Sequence, residues 1–178
     1  DKKLNSNLTL GQARINSKEV KKNDIFFAIR GRKNDGNKFV EEALKKKASI
    51  VVVNKIKKKL DYKKQIKVID SLKFLTETSS IFRENIDAKI IAITGSCGKT
   101  TLKELLGKTL KKISKTTISP KSYNNKYGVP LSLFNLSEKD NYGVLEVGMD
   151  KKGEIDYLSK IIKPKISKTR LSISSIES

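Results

Sequence analysis

The sequence predicts an α/β fold in which two α/β units follow one another along 178 residues. Short apolar runs of strand length alternate with segments whose apolar residues recur at helical spacing. A glycine-rich turn joins one of these runs directly to a helical segment. Because alternating strands and helices place crossover helices on the faces of a sheet, we expect mainly parallel sheets.

The first unit is predicted from two apolar runs and the helical segments around them. A strand at 24–29 is followed by a polar turn and a helix, and a strand of the buried type follows at 50–53. A lysine-rich stretch then leads to a short strand around Val68 and Ile69. The next helix could be capped by Asp70 or Ser71.

The second unit begins with the apolar run 89–93, which we assign to a buried strand. A glycine-rich loop and a helix follow, and the remaining predicted elements are a strand at 116–118, a helix from Val129, a strand at 142–148 and a helix closed by Pro164. We therefore predict a small N-terminal α/β domain, residues 1–87, and a P-loop α/β domain with a mainly parallel sheet, residues 88–166. Residues 167–178 are rich in serine and weakly patterned, which predicts an atypical tail that is disordered or foreign to the domain.

The formal net charge of +20 is compatible with non-specific binding to nucleic acids. The lysines are scattered over most of the chain, however, and arginine, the preferred reader of bases, is scarce. A solvated lysine-rich surface accounts for the charge more simply, so we expect no specific nucleic-acid partner.

Cysteine content and hydropathy bear on the cellular compartment in which this protein is expected. Cys97 is the single cysteine, so an intrachain disulfide is impossible. The sequence contains no histidine that could act as a base and activate the Cys97 thiol. No apolar stretch reaches the length of a membrane span, and the N-terminus does not resemble a secretory signal. We expect a cytoplasmic protein that is not inserted in a membrane and is a monomer.

The strongest motif is Thr94-Gly95-Ser96-Cys97-Gly98-Lys99-Thr100-Thr101, between the buried strand and the helix. Small residues let backbone N–H groups close around phosphate oxygens, and the helix N-terminus adds favourable partial charge. Lys99 is predicted to reach the β- and γ-phosphates and Thr100 to join a Mg²⁺ shell. Ile93 stands where the usual pattern has its first glycine, so the loop is a shortened variant. The sequence predicts that residues 95–101 bind ATP and Mg²⁺.

Glu146 interrupts an apolar strand that should be largely buried. An ionised carboxylate there is costly unless it is paired or bound to a metal. Since ligands gather beyond the carboxyl ends of parallel strands, Glu146 could complete a Mg²⁺ site with Thr100. A solvent-facing glutamate on a half-exposed strand is the alternative.

Other polar residues are weaker candidates. Asn124 and Asn125 lie in a loop bounded by proline and glycine, and by themselves they favour a turn. Asp35-Gly36 indicates a tight turn first and a ligand contact second. Ser17 carries almost no information by itself.

Four passages together resemble the Mur ligases, the ATP-dependent amide ligases of peptidoglycan precursor synthesis. They are the shortened loop 94–101, Tyr123-Asn124-Asn125-Lys126-Tyr127-Gly128-Val129-Pro130-Leu131, Leu145-Glu146-Val147-Gly148-Met149 with Gly153-Glu154-Ile155, and Asn23–Gly31 with Asp35–Phe39. The resemblance extends from about Ile15 to Lys165. Its second and third passages are similar to the member that adds D-alanyl-D-alanine.

The resemblance implies a two-step reaction. ATP phosphorylates the carboxylate of a UDP-N-acetylmuramoyl-tripeptide, and the amine of D-alanyl-D-alanine attacks the acyl phosphate. By position, Lys99 would be the catalytic residue that neutralises the migrating phosphoryl charge, and Thr100 and Glu146 would serve Mg²⁺. Asn124 and Asn125 would line the nucleotide cleft, and Ser17, Asp35 and Gly36 would face the uridine nucleotide.

The sequence also departs from this family. Asn16-Ser17-Lys18 replaces Asp-Ser-Arg, which removes a carboxylate and a bidentate guanidinium. Beyond Lys165 the resemblance implies a further apolar strand, a histidine, a carbamylated lysine and a C-terminal domain, which have no counterpart here. We therefore expect a truncated P-loop domain in a fragment that does not complete ligation alone. Three alternatives stay open: another Mur ligase, a folylpolyglutamate synthase-like ligase, and a basic P-loop module that binds nucleic acid.

Overall fold

The computed structural model describes residues 10–31, 34–120, 123–148, 153–164 and 166–170. The chain divides into two compact units, Asp1–Leu75 and Thr76–Ser178. Each unit contains one four-stranded sheet, and every strand pair within the described sheets is parallel. The predicted α/β fold class with parallel sheets is confirmed.

The first unit has the strand order β1-β2-β3-β4. Its elements are β1 (Ala13–Arg14), β2 (Ile25–Phe27), α1 (Val40–Lys45), β3 (Ile50–Val53), β4 (Gln65–Lys67) and the start of α2 (Ser71–Glu84), with 3-10 turns at Ser17–Glu19, Gly36–Phe39 and Tyr62–Lys64. Alternate residues of the strands form a core with α1 that includes Phe26, Val51 and Val53. Phe27 points to the other face, where its ring lies 6.5 Å from that of Phe74.

The division between the two compact units falls inside α2, between Leu75 and Thr76, and the domain boundary near Asp87 stays a prediction. The two ends of this helix pack in different units. Phe74 contacts Phe27 of the first unit, whereas Phe82 stacks on Phe134 of the second at a ring distance of 5.8 Å. Asp70 is the capping residue, because its Oδ1 accepts hydrogen bonds from Leu72 N at 2.8 Å and Lys73 N at 3.0 Å.

The last strand of the first unit was predicted at the wrong residues. β4 covers Gln65–Lys67 and not Val68 and Ile69, and the side chain of Ile69 is fully exposed. Gln65 is buried and exchanges hydrogen bonds with the backbone N–H and carbonyl of Lys57. A polar residue can therefore begin this edge strand because the preceding loop satisfies its amide.

The second unit has the strand order β6-β7-β5-β8. Its elements are β5 (Lys89–Gly95), α3 (Lys99–Lys111), β6 (Thr116–Ile118), α4 (Gly128–Phe134), β7 (Tyr142–Glu146), α5 (Glu154–Ile162) and β8 (Ile166–Arg170). Successive residues of β5 point to opposite faces, so Ile90 and Ala92 pack with α4 and α5 while Ile91 and Ile93 pack with α3. The central strand is buried on both faces, as its continuous apolar sequence indicates.

The predicted disordered tail is wrong for its first residues. Residues 166–170 form β8, which pairs in parallel with Ile91–Gly95 of β5. A parallel ladder uses main-chain groups, so this strand can form without the apolar run on which the sequence argument relied. Residues 171–178 lie outside the described residues, as does Met149 of the quoted motif. Among the helices that the structure describes, none combines the length and apolar composition required to cross a membrane.

Candidate functional site

The glycine-rich loop occupies the turn between the carboxyl end of β5 and the first residue of α3. Gly95 and Gly98 have φ angles of 139° and 70°, and residues other than glycine rarely adopt such positive values. Ser96, Cys97 and Gly98 are exposed. The first N–H groups of α3 have no acceptor within the helix, so they are oriented to receive an anion at this turn.

The side chain of Lys99 folds back onto the glycine-rich loop. Its Nζ donates a hydrogen bond to the carbonyl oxygen of Gly95 at 2.6 Å. The contact holds the ammonium beside the loop, where it can exchange a carbonyl acceptor for phosphate oxygens. Thr100 and Thr101 follow on the first turn of α3, and both are exposed.

Glu146 is the last residue of β7 and is 3% exposed. It lies opposite Ile93 of β5 in the parallel register. Glu146 is therefore at the carboxyl end of the sheet, where the glycine-rich loop begins. Its Oε2 accepts a hydrogen bond from Thr100 Oγ1 at 2.8 Å, and its Oε1 accepts one from Asn124 Nδ2 at 2.9 Å. The structure thus brings Thr100 and Glu146 together, and Glu146 is not the solvent-facing residue of the alternative interpretation.

The site lies at the ends of two adjacent strands, β5 and β7, whose connections run to opposite edges of the sheet. The connection after β5 runs through α3 to β6 at one edge of the sheet, whereas the connection after β7 runs through α5 to β8 at the other. α3 and α5 pack on opposite faces of the sheet. Such a switch point leaves a crevice at the carboxyl ends of the strands, which is where open α/β sheets bind ligands.

Two residues that the sequence argument missed complete this group. Lys103, in the second turn of α3, is 0% exposed, and its Nζ lies 3.8 Å from Glu146 Oε2. Ser119 follows β6, and its Oγ accepts a hydrogen bond from Glu146 N at 3.2 Å. Lys103 lies four residues after Lys99, so helical periodicity could have placed it on the same face.

The two neighbouring asparagines have different roles in the structure. Asn124 binds Glu146, and its backbone oxygen accepts a hydrogen bond from Gly148 N at 2.6 Å. Asn125 Oδ1 instead accepts hydrogen bonds from Tyr127 N and Gly128 N at 3.0 and 3.1 Å, at the start of α4. The turn interpretation therefore describes Asn125, and its contact with a nucleotide stays a prediction.

The oxygen atoms at this edge fit a magnesium ion. Neighbouring ligands of an octahedral Mg²⁺ are about 2.9 Å apart at its usual metal–oxygen distance. The 2.8 Å between Thr100 Oγ1 and Glu146 Oε2 is close to that value. No group of three acidic, histidine or cysteine side chains suited to a metal occurs among the described residues. Two oxygen atoms from the protein suit Mg²⁺, because this ion usually takes one or two protein ligands together with phosphates and water.

The first unit has its own polar group at the carboxyl end of its sheet. Asp35 caps a 3-10 turn, and its Oδ1 accepts hydrogen bonds from the backbone and side-chain nitrogens of Asn37 at 2.9 and 2.7 Å. These hydrogen bonds, the side-chain one first, lower the pKa of Asp35. Asn37 also exchanges hydrogen bonds with Asn54, whose Oδ1 accepts one from Ser71 Oγ at 3.3 Å.

The sequence argument named Asp35 and Gly36 as candidate site residues, but not Asn37 and Asn54, whose amides form the hydrogen-bonded group beside Asp35. Gly36 has no room for a side chain, since a Cβ there would lie 2.7 Å from the backbone of Ile29. Asn54 directly follows the buried strand β3, a position at which a polar residue could have been noticed. Ser17 is buried after β1 and donates to Glu42 Oε2 at 2.8 Å, so it lies in a separate contact.

Two family models match this chain, the "Mur ligase family, catalytic domain" over residues 12–83 and the "Mur ligase middle domain" over residues 93–168. The chain belongs to the Mur ligase family. The resemblance drawn from the four sequence passages is thereby confirmed. Among the members, it is similar to the UDP-N-acetylmuramoyl-tripeptide–D-alanyl-D-alanine ligase of Buchnera aphidicola subsp. Acyrthosiphon pisum. The two are 38% identical over 162 residues, which are 90% of this chain and 35% of that ligase.

Solved Mur ligase structures resemble the fold as well. The UDP-N-acetylmuramoylalanyl-D-glutamyl-2,6-diaminopimelate–D-alanyl-D-alanyl ligase of Acinetobacter baumannii has a TM-score of 0.78 and 33% identity, covering 90% of this chain and 36% of that one. The MurF ligase of Thermotoga maritima in complex with ADP has a TM-score of 0.71 and 32% identity, covering 89% and 36%. The chain spans about a third of the length of the curated relatives it matches.

Proposed function

We propose that this Mur ligase chain binds ATP and Mg²⁺ at the carboxyl ends of β5 and β7. One observation carries the proposal, the 2.8 Å contact between the Thr100 hydroxyl and the buried Glu146 carboxylate beside the glycine-rich loop. A hydroxyl at the start of the loop helix and a carboxylate on the adjacent strand form the Mg²⁺ side of a phosphate-binding site. Bound Mg²⁺ would neutralise developing charge on the phosphate oxygens.

Each residue of the site would have a distinct role. Backbone N–H groups from Gly95 to Gly98, with the side chains of Ser96 and Thr101 at the loop ends, would enclose the triphosphate. Lys99 would leave the Gly95 carbonyl and place its ammonium against the transferred phosphoryl group, where a charge-assisted hydrogen bond is strong. Asn124 would orient Glu146, and Asn125 would shape the loop that borders the nucleotide.

The whole protein is proposed to be an amide ligase of peptidoglycan precursor synthesis. Relatives at 38% and 36% identity are named for joining UDP-N-acetylmuramoyl-tripeptide to D-alanyl-D-alanine, which supports these two molecules as its substrates. The tripeptide carboxylate would take the γ-phosphoryl group of ATP, and the dipeptide amine would displace phosphate from the acyl phosphate. The first unit would bind the uridine nucleotide near Ser17, Asp35 and Gly36. We place the protein in the cytoplasm as a monomer.

The experiment is a calorimetric titration of the 178-residue chain with ATP, in Mg²⁺ and again with excess chelator. We expect saturable binding that weakens when the metal is removed. A parallel titration with a random DNA duplex at physiological salt tests the nucleic-acid alternative, which the charge of +20 leaves open. Failure to bind ATP, or a duplex affinity equal to that for ATP, would reject the proposed function.

A further inference from the structure

One lysine of the second unit is fully enclosed, although the loop motif gives it no role. Lys103 lies one turn of α3 beyond Thr100 and is 0% exposed. A buried ammonium loses its hydration and is tolerated only where acceptors and an opposite charge replace the water. The surroundings of Lys103 therefore indicate what it does.

Lys103 Nζ has acceptors on two sides. It donates hydrogen bonds to the carbonyl oxygens of Ser119 at 2.9 Å and Pro120 at 3.4 Å, at the start of the loop that carries Asn124. Two carboxylates are within reach, Glu104 at 3.6 Å and Glu146 at 3.8 Å. The Glu104 side chain is 37% exposed and remains hydrated, whereas that of Glu146 is 4% exposed. Glu146 is therefore the partner for which the ammonium matters most.

The same carboxylate oxygen faces both Lys103 and Thr100. Glu146 Oε2 accepts from the Thr100 hydroxyl and lies against the ammonium, while Asn124 holds Oε1. Thr100, Asn124 and Ser119 are neutral, so Lys103 supplies the positive charge among these described contacts of Glu146. The ammonium also anchors the Ser119 carbonyl, and Ser119 Oγ receives the N–H of Glu146.

We infer that Lys103 is a positioning residue that acts as the counter-charge of Glu146 and is relieved of that role by the divalent cation. Without the cation, the ammonium lies 3.8 Å from Oε2 and offsets the charge of the buried carboxylate, which is directed toward Thr100. A cation held by Glu146 and Thr100 would offset the same charge in place of the ammonium. The exchange with the cation rests on the proposed function, whereas the coupling of Lys103 to Glu146 does not.

The coupling is tested by urea unfolding of the full chain in the presence of a chelator. Lys103→Met keeps most of the side-chain volume but leaves Glu146 without its counter-charge, and we expect the midpoint to fall by more than about 1 M. Lys103→Met combined with Glu146→Gln should recover at least half of that loss. Lys108→Met, at an exposed position of α3, is the matched control and should leave the midpoint unchanged.

Equal midpoints for Lys103→Met and the double variant would overturn the coupling, because the lysine would then act only through Ser119 and Pro120. If Lys103→Met does not fold, the double variant decides the question. A folded double variant supports the coupling, and an unfolded one rejects it.

Addition of millimolar Mg²⁺ tests the exchange of counter-charges. We expect Mg²⁺ to raise the midpoint of Lys103→Met more than that of the wild-type chain, and to leave that of the double variant unchanged. An equal rise in Lys103→Met and wild type would reject the exchange. A wild-type chain that binds no ATP with Mg²⁺ would instead reject the proposed function, and the chelator series would still establish whether Lys103 and Glu146 are coupled.

Discussion

The two sheets of this protein both gather polar side chains at the carboxyl ends of parallel strands, but they use different chemistry there. In the first unit Asp35 accepts a hydrogen bond from the Asn37 amide, which is linked through Asn54 to the Ser71 hydroxyl. In the second unit Lys99 and Lys103 lie on the helix that also presents Thr100 to the buried Glu146. The architecture selects the place for a ligand, and the side chains that follow each strand decide which ligand suits it.

The difference also concerns how the polar groups are satisfied. Asn54 joins three parts of the first unit through Asn37, Ser71 and the carbonyl of Ile69. Those contacts maintain the shape of the loops. In the second unit, Lys99 and Glu146 use contacts that phosphate and a cation can replace. The first group is therefore expected to affect mainly stability, and the second mainly nucleotide binding.

The largest effect is expected from Gly36→Ala in the first unit. A Cβ at Gly36 would lie 2.7 Å from backbone atoms of Ile29, which cannot move without disturbing the chain after β2. We expect the free energy of unfolding to fall by at least about 3 kcal/mol. The measurement is urea unfolding followed by circular dichroism.

The matched change in the second unit is Gly153→Ala. Gly153 has a φ angle of +87°, but a Cβ there would meet nothing within 4 Å, so the loss is backbone strain of about 1 kcal/mol. A larger loss from Gly153→Ala than from Gly36→Ala would show that conformational strain, and not steric exclusion, limits these turns.

Lys99→Ala should have the next largest effect, on binding alone. Loss of a charged hydrogen bond to phosphate costs about 1.5–3 kcal/mol, so ATP affinity should fall roughly 10- to 100-fold. The free energy of unfolding should change little, since Lys99 contacts a carbonyl of its own loop. Lys38→Ala removes one charge from an exposed position of the first unit and should leave ATP affinity unchanged. Equal ATP affinities of Lys99→Ala and wild type would remove the loop from the proposed site.

Asn54→Ala should produce the opposite pattern, a loss of stability without a loss of nucleotide binding. The substitution leaves the Ile69 carbonyl, Ser71 and Asn37 without their amide partner, which should lower the free energy of unfolding by about 1–2 kcal/mol. Asn34→Ala, at an exposed position of the same unit, is the control. A weaker ATP affinity in Asn54→Ala would contradict the separation of roles between the two units.

The smallest effect is a pH dependence from Asp35. Hydrogen bonds from Asn37 lower the pKa of Asp35 below its ordinary value of 3.8, so the folded state favours the carboxylate. This contribution to stability is complete above that value and is lost as pH falls through the lowered pKa. Between about pH 5.5 and pH 3, wild type should lose slightly more stability than Asp35→Asn, which keeps a capping oxygen. Identical losses in urea midpoint would show that the Asn37 contacts do not favour the ionised form.

Local sequence predicted the parts of the fold that depend on local patterns. The continuous apolar run of β5 and the glycines of its loop are recognisable without a structure, because strand burial and positive φ angles leave direct traces in residue type. β4 and β8 were not recognised correctly. A three-residue edge strand that begins with Gln65 and a strand without an apolar run are held by main-chain pairing with their neighbours, which no residue type encodes.

The candidate site shows the same division. The order of strands and helices, the phosphate loop and the improbable placement of Glu146 in an apolar strand were determined by the sequence itself. Only the tertiary structure decided that Glu146 meets Thr100, 46 residues away, and that Lys103 is enclosed beside them. The physical reason is that β7 pairs with β5 although the helices α3 and α4 and the strand β6 intervene in the chain. Such non-local pairing depends on the packing of both faces of the sheet at once, and no single segment specifies it.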